Sequence, residues 1–408
     1  KRGKESALFD FIERDSQEHE NSPLAELWIG THPAGTNALV DRSHLSILDI
    51  IKTEGKAHSL PFLYKLLSIS QPLSIQVHPD KEFAKILHEG EPTHYPDPHE
   101  KPEMVVALSS MVLLHNYRPL REILDFCTKY PQLDTLWRGE KFDCTEVSVL
   151  PESILVGTRN MLYSNTERIH ENIVSLCRFL DDKVCRGETL TNEESLFVET
   201  ATRNITDVGA FFVFVLNIKV LRPYEALLIA PNEPHSYLRG ECIEAMNPSD
   251  NVIRAGLTTK FVDTDAFLRS VARRDTESLN CLLVCESKNR SVIEYIPVPL
   301  CRFPGFRVVV IRLDIISEVV LSFEAQKYDR KLAEVSRVFP AAMISHTGVT
   351  SFLKEGQTPV SMKRGTTWIT LVRLAEQVKF RRKESEESLL TMCVPNFTRC
   401  VCTKEYFG

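Results

Sequence analysis

Along roughly the first 118 residues the apolar runs are short and broken by proline and polar clusters, as in Leu60 to Leu67 and Met104 to Leu114. Runs of that length predict strands with a few helices between them. From Pro119 to Thr206 the period changes. Apolar residues recur every three or four positions in Leu120, Ile123, Leu124 and Cys127, and again from Ile169 through Ile173 and Leu176 to Leu180, which predicts amphipathic helices. Thr191 to Ala201 reads as another helix. Near Val208 the strand texture returns. Gly209-Ala210-Phe211-Phe212-Val213-Phe214-Val215-Leu216 is a buried-strand candidate, and Ala226 to Ile229, ended by Pro231, is a second. Beyond Arg273, Phe306 to Leu313 and Thr366 to Val372 continue the strand pattern. A mainly β protein is expected, a jelly-roll barrel with an α-helical insert rather than a parallel α/β fold. The expected division is 1–118 and 208–272 as two parts of one β domain, 119–207 as the helical insert, and 273–408 as a C-terminal β domain.

The length of 408 residues fits two or three domains. Hydrophobic residues at 43% and charged residues at 25% suit a soluble globular protein. A net charge of −6 provides no basic face, so nucleic acid is not expected as a partner. A small anion could still be held by local Lys and Arg. No apolar run is long enough to span a membrane and no signal peptide opens the sequence, so a cytoplasmic location is expected. Eleven cysteines include no C-x-x-C pair; the closest are Cys400 with Cys402 and Cys281 with Cys285. They read as reduced thiols, and a zinc finger is excluded by the spacing.

Four segments carry candidate chemistry. In Ser74-Ile75-Gln76-Val77-His78-Pro79 a strand would put Ser74, Gln76 and His78 on one face. Two potential ligands at that spacing can reach one ion. In Lys101-Pro102-Glu103-Met104, Lys101 and Glu103 share a face. In Asn232-Glu233-Pro234-His235-Ser236-Tyr237, His235 and Tyr237 point the same way if a strand resumes. The stretch Glu244 to Lys260 holds two carboxylates, Glu244 and Asp250, and two cations, Arg254 and Lys260; Arg grips phosphate as a fork and Lys as a point charge. Taken singly, each segment is more often structural: a polar strand edge, a surface ion pair, a satisfied histidine, a solvated loop.

In order, these segments resemble the type I phosphomannose isomerases. The likeness runs from Pro23-Leu24-Ala25-Glu26-Leu27-Trp28-Ile29-Gly30-Thr31-His32-Pro33 through Leu60-Pro61-Phe62-Leu63-Tyr64-Lys65 and the Gln76 and Glu103 segments. It ends with Glu233-Pro234-His235 and Ser249-Asp250-Asn251-Val252-Ile253-Arg254-Ala255-Gly256-Leu257. The resemblance implies a cupin-type fold with one zinc ion held by Gln76, His78, Glu103 and His235. It implies further active-site positions at Glu26, Ser74, Lys101, Glu244, Asp250, Arg254 and Lys260. Several positions depart from the family. His99-Glu100 stands where the family has Asn-His, which would put an anion at the pocket edge. Tyr224 replaces a Gly, Thr259 a Pro and Leu24 a Tyr, and the opening Trp-Gly-Lys appears only as Arg2-Gly3-Lys4.

The implied reaction interconverts mannose 6-phosphate and fructose 6-phosphate, feeding GDP-mannose synthesis and glycosylation, in a monomeric protein whose only partner is its sugar phosphate. Arg254, Lys101 and Glu244 are the expected catalytic residues; Ser74, Glu26, Asp250 and Lys260 are expected to bind substrate. The proton carrier is Glu244 or Lys101. Rival readings are a weakened or non-catalytic cupin that binds sugar phosphate and an iron-dependent cupin oxygenase.

Overall fold

The computed structural model describes residues 6–9, 22–32, 60–138 and 151–273. In the C-terminal third it describes the strand segments 283–287, 291–297, 306–313, 316–325, 338–347, 350–354, 360–362, 366–373, 377–382, 388–395 and 398–407. Arg2-Gly3-Lys4 and Pro33 lie outside the described residues.

Nine strands form one antiparallel sheet: β1 (Glu26–Ile29), β2 (Leu63–Ile69), β3 (Ile75–Val77), β4 (Glu103–Ala107), β5 (Met111–Tyr117), β6 (Leu216–Leu221), β7 (Ala226–Ile229), β8 (His235–Met246) and β9 (Ile253–Gly256). Its hub is β8. The first half of β8 pairs with β3 and β5, the second half with β2 and β4. Midway, Leu113 opposes Tyr237 and Val112 opposes Arg239, so Leu238 is an extra residue on β8. Gly240 follows at φ 127°, a conformation that favours glycine, and a Cβ there would lie 2.8 Å from Met111 Cα. One extra residue reverses which side chains face inward. Tyr237 before it and Cys242 after it therefore share one apolar cluster with Leu67, Val105 and Leu113.

Helix α1 (Lys81–Gly90) begins at Asp80, whose carboxylate accepts from the Glu82 and Phe83 amides. Between β5 and β6 lie α2 (Leu120–Lys129), α3 (Pro131–Arg138), α4 (Glu152–Leu162), α5 (Thr166–Cys185) and α6 (Asn192–Ala201). Their apolar stripes are the ones the sequence spacing marks; Ile169, Ile173, Leu176 and Leu180 are the buried face of α5. Thr191 and Glu194 close α6 in a capping box.

The expected strand over Gly209 to Leu216 is not formed. Val208–Phe211 is a 3-10 turn and Phe212–Val215 a helical turn, α7; the chain extends only at Leu216. A run buried on every side has no polar face to reveal its period. Here Phe214 sits among Phe126 of α2, Tyr130 at the α2–α3 junction and Phe197 of α6, while Asp207 caps the turn through the Gly209 amide. Burial inside a helical cluster decides the conformation, and the next helix, α8 (Thr264–Ala272), packs on the same core.

In the C-terminal third, Leu283–Ser287, Val292–Pro297, Phe306–Leu313, Ser388–Pro395, Val338–Thr347 and Thr366–Arg373 form a six-stranded antiparallel sheet. Val360–Met362, Thr350–Lys354, Gln377–Arg382, Ile316–Ala325 and Thr398–Phe407 form one of five strands. Tyr295, Phe306, Val308, Val310 and Cys393 of the six-stranded sheet join the apolar cluster of Phe62, Tyr64, Met104 and Val106. The face of β2 and β4 turned away from the cavity is thus covered. Tyr224, where the family usually has Gly, sits at φ 69°, which costs a non-glycine residue roughly 1–2 kcal/mol. Its ring stacks with the Arg312 guanidinium at 5.0 Å and its carbonyl accepts from the Tyr295 hydroxyl, so the sheet contact holds the turn.

Cys127, Cys177, Cys185, Cys242 and Cys393 are free thiols; the side chains of Cys281, Cys285, Cys400 and Cys402 lie outside the described residues. Among the described residues no helix is long and apolar enough to cross a membrane.

Candidate active site

Strand register gathers the residues that the sequence spreads over 160 positions. Gln76 on β3 stands opposite His235 on β8 and Arg254 on β9. Glu103 opens β4, between Ile229 of β7 and Met246 of β8. His78 follows directly on β3. The outcome is a buried trio, His78, Glu103 and His235, with one ligand atom of each within 4.8 Å of the others. His78 Nε2 lies 3.1 Å from Glu103 Oε1, and His235 Nε2 lies 3.5 Å from Glu103 Oε2.

The outer hydrogen bonds decide what those nitrogens are. His78 Nδ1 donates to the Asn251 carbonyl at 2.8 Å, and His235 Nδ1 donates to the Glu233 carbonyl at 2.9 Å. Each ring therefore presents its Nε2 as a lone pair toward Glu103. Burial lowers the His78 pKa to about 4, against the pull of Glu103, so the ring is neutral. His78 Nε2 is buried without a hydrogen-bond partner. Two imidazole lone pairs facing one carboxylate, which burial fails to protonate because Lys101 holds its pKa well down, is an arrangement that calls for a cation. The donors suit zinc. Gln76 turns its amide nitrogen toward His235 Nε2 (3.2 Å) and its oxygen toward Ser74 Oγ (3.0 Å); reversing the amide would present Oε1 to His235 instead.

A family model, "Phosphomannose isomerase type I, catalytic domain", matches residues 1–120. A probable mannose-6-phosphate isomerase of Echinococcus multilocularis is 37% identical over 306 residues, 69% of this chain and 69% of that protein. This chain belongs to the type I phosphomannose isomerase family. The human mannose-6-phosphate isomerase is 32% identical over 284 residues, 65% of this chain and 67% of its own length. Among solved structures, the mannose 6-phosphate isomerase of Salmonella typhimurium bound to substrate (fructose 6-phosphate) and zinc superposes with a TM-score of 0.70 at 21% identity, over 96% of both chains. The fold is thus that of the phosphomannose isomerases, a cupin fold.

In this chain one member of the trio, Glu103, lines a cavity of about 690 Å³. Glu26, Ser74, Gln76, Lys101, Glu103, Glu244, Asp250, Arg254 and Lys260, all marked by the sequence, line it; His78 and His235 are buried and reach it only through their contacts with Glu103 and Gln76. Glu244 and Arg254 sit on strands, not on the mixed-charge loop their sequence suggests; Asp250 and Lys260 are on connections. Glu244 shares a register row with Trp28, Lys65 and Val105. Burial and the neighbouring Glu103 carboxylate push its pKa up to about 7, with Lys65 and Lys101 pulling the other way. Lys101 Nζ is 3.1 Å from Glu103 Oε1; burial opposes its charge, but Glu103 and Glu244 outweigh that and raise its pKa. The Tyr237 hydroxyl donates to Glu103 at 3.4 Å, and burial raises its pKa well above ordinary, so it stays a donor.

Glu100 does not line the cavity, contrary to its expected place at the pocket edge. Burial raises its pKa to about 7, and its charged neighbours are Lys81 and Asp80 at the start of α1. The extended segment leading into β4 points Lys101 and Glu103 to the cavity and turns Glu100, the residue before them, away from it.

Two groups were not marked by sequence reasoning. Lys65 Nζ lies 3.7 Å from both Glu26 and Glu244 and 4.1 Å over the Trp28 ring. The signal was a lone Lys in an otherwise apolar strand, where burial demands a partner. The second group is Thr200, Arg203, Asn204 and Asp207, which wall the cavity from the end of α6; nothing in their spacing distinguishes them from a helix terminus.

Proposed function

We propose that this chain is a zinc-dependent aldose–ketose isomerase that interconverts mannose 6-phosphate and fructose 6-phosphate. The observation that carries this reading is the buried His78–Glu103–His235 trio, with its lone pairs aimed at one point, beneath a cavity whose wall offers Arg254 and Lys260. Gln76 completes a four-ligand set for one ion. When bound, zinc would supply Lewis-acid stabilisation of the negative charge that develops on the sugar oxygen during isomerisation.

The chain's own residues do the rest. Glu244 is the proton carrier: a carboxyl buried and poised near neutrality can take a proton from one carbon and return it to the next. Lys101 is held in its charged form by two carboxylates, so it donates hydrogen bonds to sugar oxygens instead of accepting the proton. Tyr237 stays protonated and serves the same end. Arg254 and Lys260 bind the phosphate, since no hydrogen bond or ion pair engages either side chain among the described residues. Ser74, Glu26 and Asp250 bind sugar hydroxyls. The jelly-roll reading, the division at 118, 207 and 272, a monomeric state, a cytoplasmic location and a role in supplying GDP-mannose belong to the same proposal.

The non-catalytic alternative drew on Glu100, and an anion facing Lys81 outside the cavity gives it little support. A coupled assay for fructose 6-phosphate formed from mannose 6-phosphate tests the proposal. Turnover should disappear with a chelator and return with zinc; zinc-loaded protein without turnover would overturn it.

A further inference from the structure

The loop carrying Thr258, Thr259 and Lys260 forms part of the cavity mouth, yet its own strand, β9, ends at Gly256. What holds it comes from the helical part of the chain. Asp207, just after α6, accepts from the Gly209 amide through Oδ1 at 2.8 Å and from the Thr258 amide through Oδ2 at 3.2 Å. Thr258 Oγ1 then accepts from the Lys260 amide at 3.0 Å. The junction is crowded. A Cβ on Gly256 would lie 2.8 Å from Asp207 Oδ1 and 2.9 Å from Gly209 Cα, and one on Gly209 would lie 2.6 Å from the Leu257 amide nitrogen. Leu257, between them, is held at φ 52°, which a side chain accepts only under constraint. Two glycines, a strained leucine and one carboxylate thus clamp the 3-10 turn to the end of β9.

We propose that Asp207 is a positioning residue for phosphate binding: it fixes the Thr258–Lys260 loop so that Lys260 meets the anionic end of the substrate. The inference rests on the isomerase reading for the identity of that substrate, but not for the clamp itself. A purely electrostatic role makes the opposite prediction. Asp207 is an anion on the cavity wall, and neutralising it would on charge alone tighten an anion's binding. Loss of the clamp weakens it. Asp207→Asn keeps the side-chain volume and loses one of the two acceptors. Gly256→Ala leaves the carboxylate in place and pushes on it from the other side.

Inorganic phosphate binding to zinc-loaded protein, measured by calorimetry, and the steady-state constants for mannose 6-phosphate provide the test. Both variants should weaken phosphate binding about tenfold, the scale of one hydrogen bond's net contribution, and raise KM to a similar extent. The kcat should stay within about threefold, because the trio is untouched. In the Lys260→Ala background, Asp207→Asn should add no further loss, since the clamp would have nothing left to position. Unchanged or tighter phosphate binding in Asp207→Asn, or a full second loss in the double variant, would overturn the inference. Phosphate binding that follows this cycle in a protein that fails to isomerise mannose 6-phosphate would overturn the proposed activity and support the clamp.

Discussion

Replacing Lys101 with Met should make the protein bind zinc more tightly while it stops turning over. Lys101 Nζ sits 3.1 Å from Glu103 Oε1, with Lys101 7% and Glu103 1% exposed. At an effective dielectric of about 20 their attraction is about 5 kcal/mol before desolvation, which consumes most of it. Met fills the stem's volume but leaves the buried Glu103 carboxyl without its cation, beside two imidazole lone pairs. Breaking a buried pair from one side costs about 3–5 kcal/mol, and the metal-free protein should lose that much stability. A dication in the trio compensates the same carboxylate, so the zinc-loaded protein should lose only about 1 kcal/mol. The difference, about 2–4 kcal/mol, must appear as tighter zinc binding by linkage, roughly 30- to 1000-fold. Competition for zinc with a chromogenic chelator reads the affinity directly; urea midpoints with and without chelator read the two stabilities. Zinc binding that is unchanged or weaker in the variant would refute the reasoning, because it would mean that Lys101 and the ion do not compete for Glu103.

Glu244→Gln should lower kcat by at least about a hundredfold, and the rise of wild-type turnover with pH through about 7 should be traced to this carboxyl. The stability sign follows from the same shift. A carboxyl whose pKa is raised on folding favours the folded state below its unfolded value near 4.5 and loses that benefit as pH rises through about 7, so Glu244→Gln should stabilise metal-free protein at pH 8 relative to wild type and not at pH 4; thermal melts that shift equally at both would count against it. Arg254→Ala should abolish turnover with zinc content unchanged, and full activity would remove Arg254 from its assigned role. Gly240→Ala should cost about 3 kcal/mol or more, since φ 127° and a backbone atom 2.8 Å away leave no relief; an unchanged urea midpoint would show that the bend can move.

Much of the site was legible because its residues lie in short segments with distinctive order. Gln76-x-His78, Lys101-x-Glu103 and His235-x-Tyr237 alternate as strands do, and in the fold the members of each pair share a side. The helices from Leu120 to Ala201 were legible because a half-buried helix advertises its period. Phe212 to Val215 were not, because a segment buried on all sides has no period to show.

Glu244 illustrates the remainder. Simple alternation along β8 would put Glu244 on the face opposite His235, nine residues earlier. The extra residue Leu238 and the bend at Gly240 reverse the alternation, and only then do Tyr237 and Glu244 border one cavity. Likewise Asp207 and Thr258, 51 residues apart, meet because a helical terminus packs on a strand end. Sequence determined which residue types were available and which elements would carry them, since periodicity and propensity are local. Tertiary structure decided which faces converge, because strand register and one inserted residue act on pairs of segments that no local pattern relates.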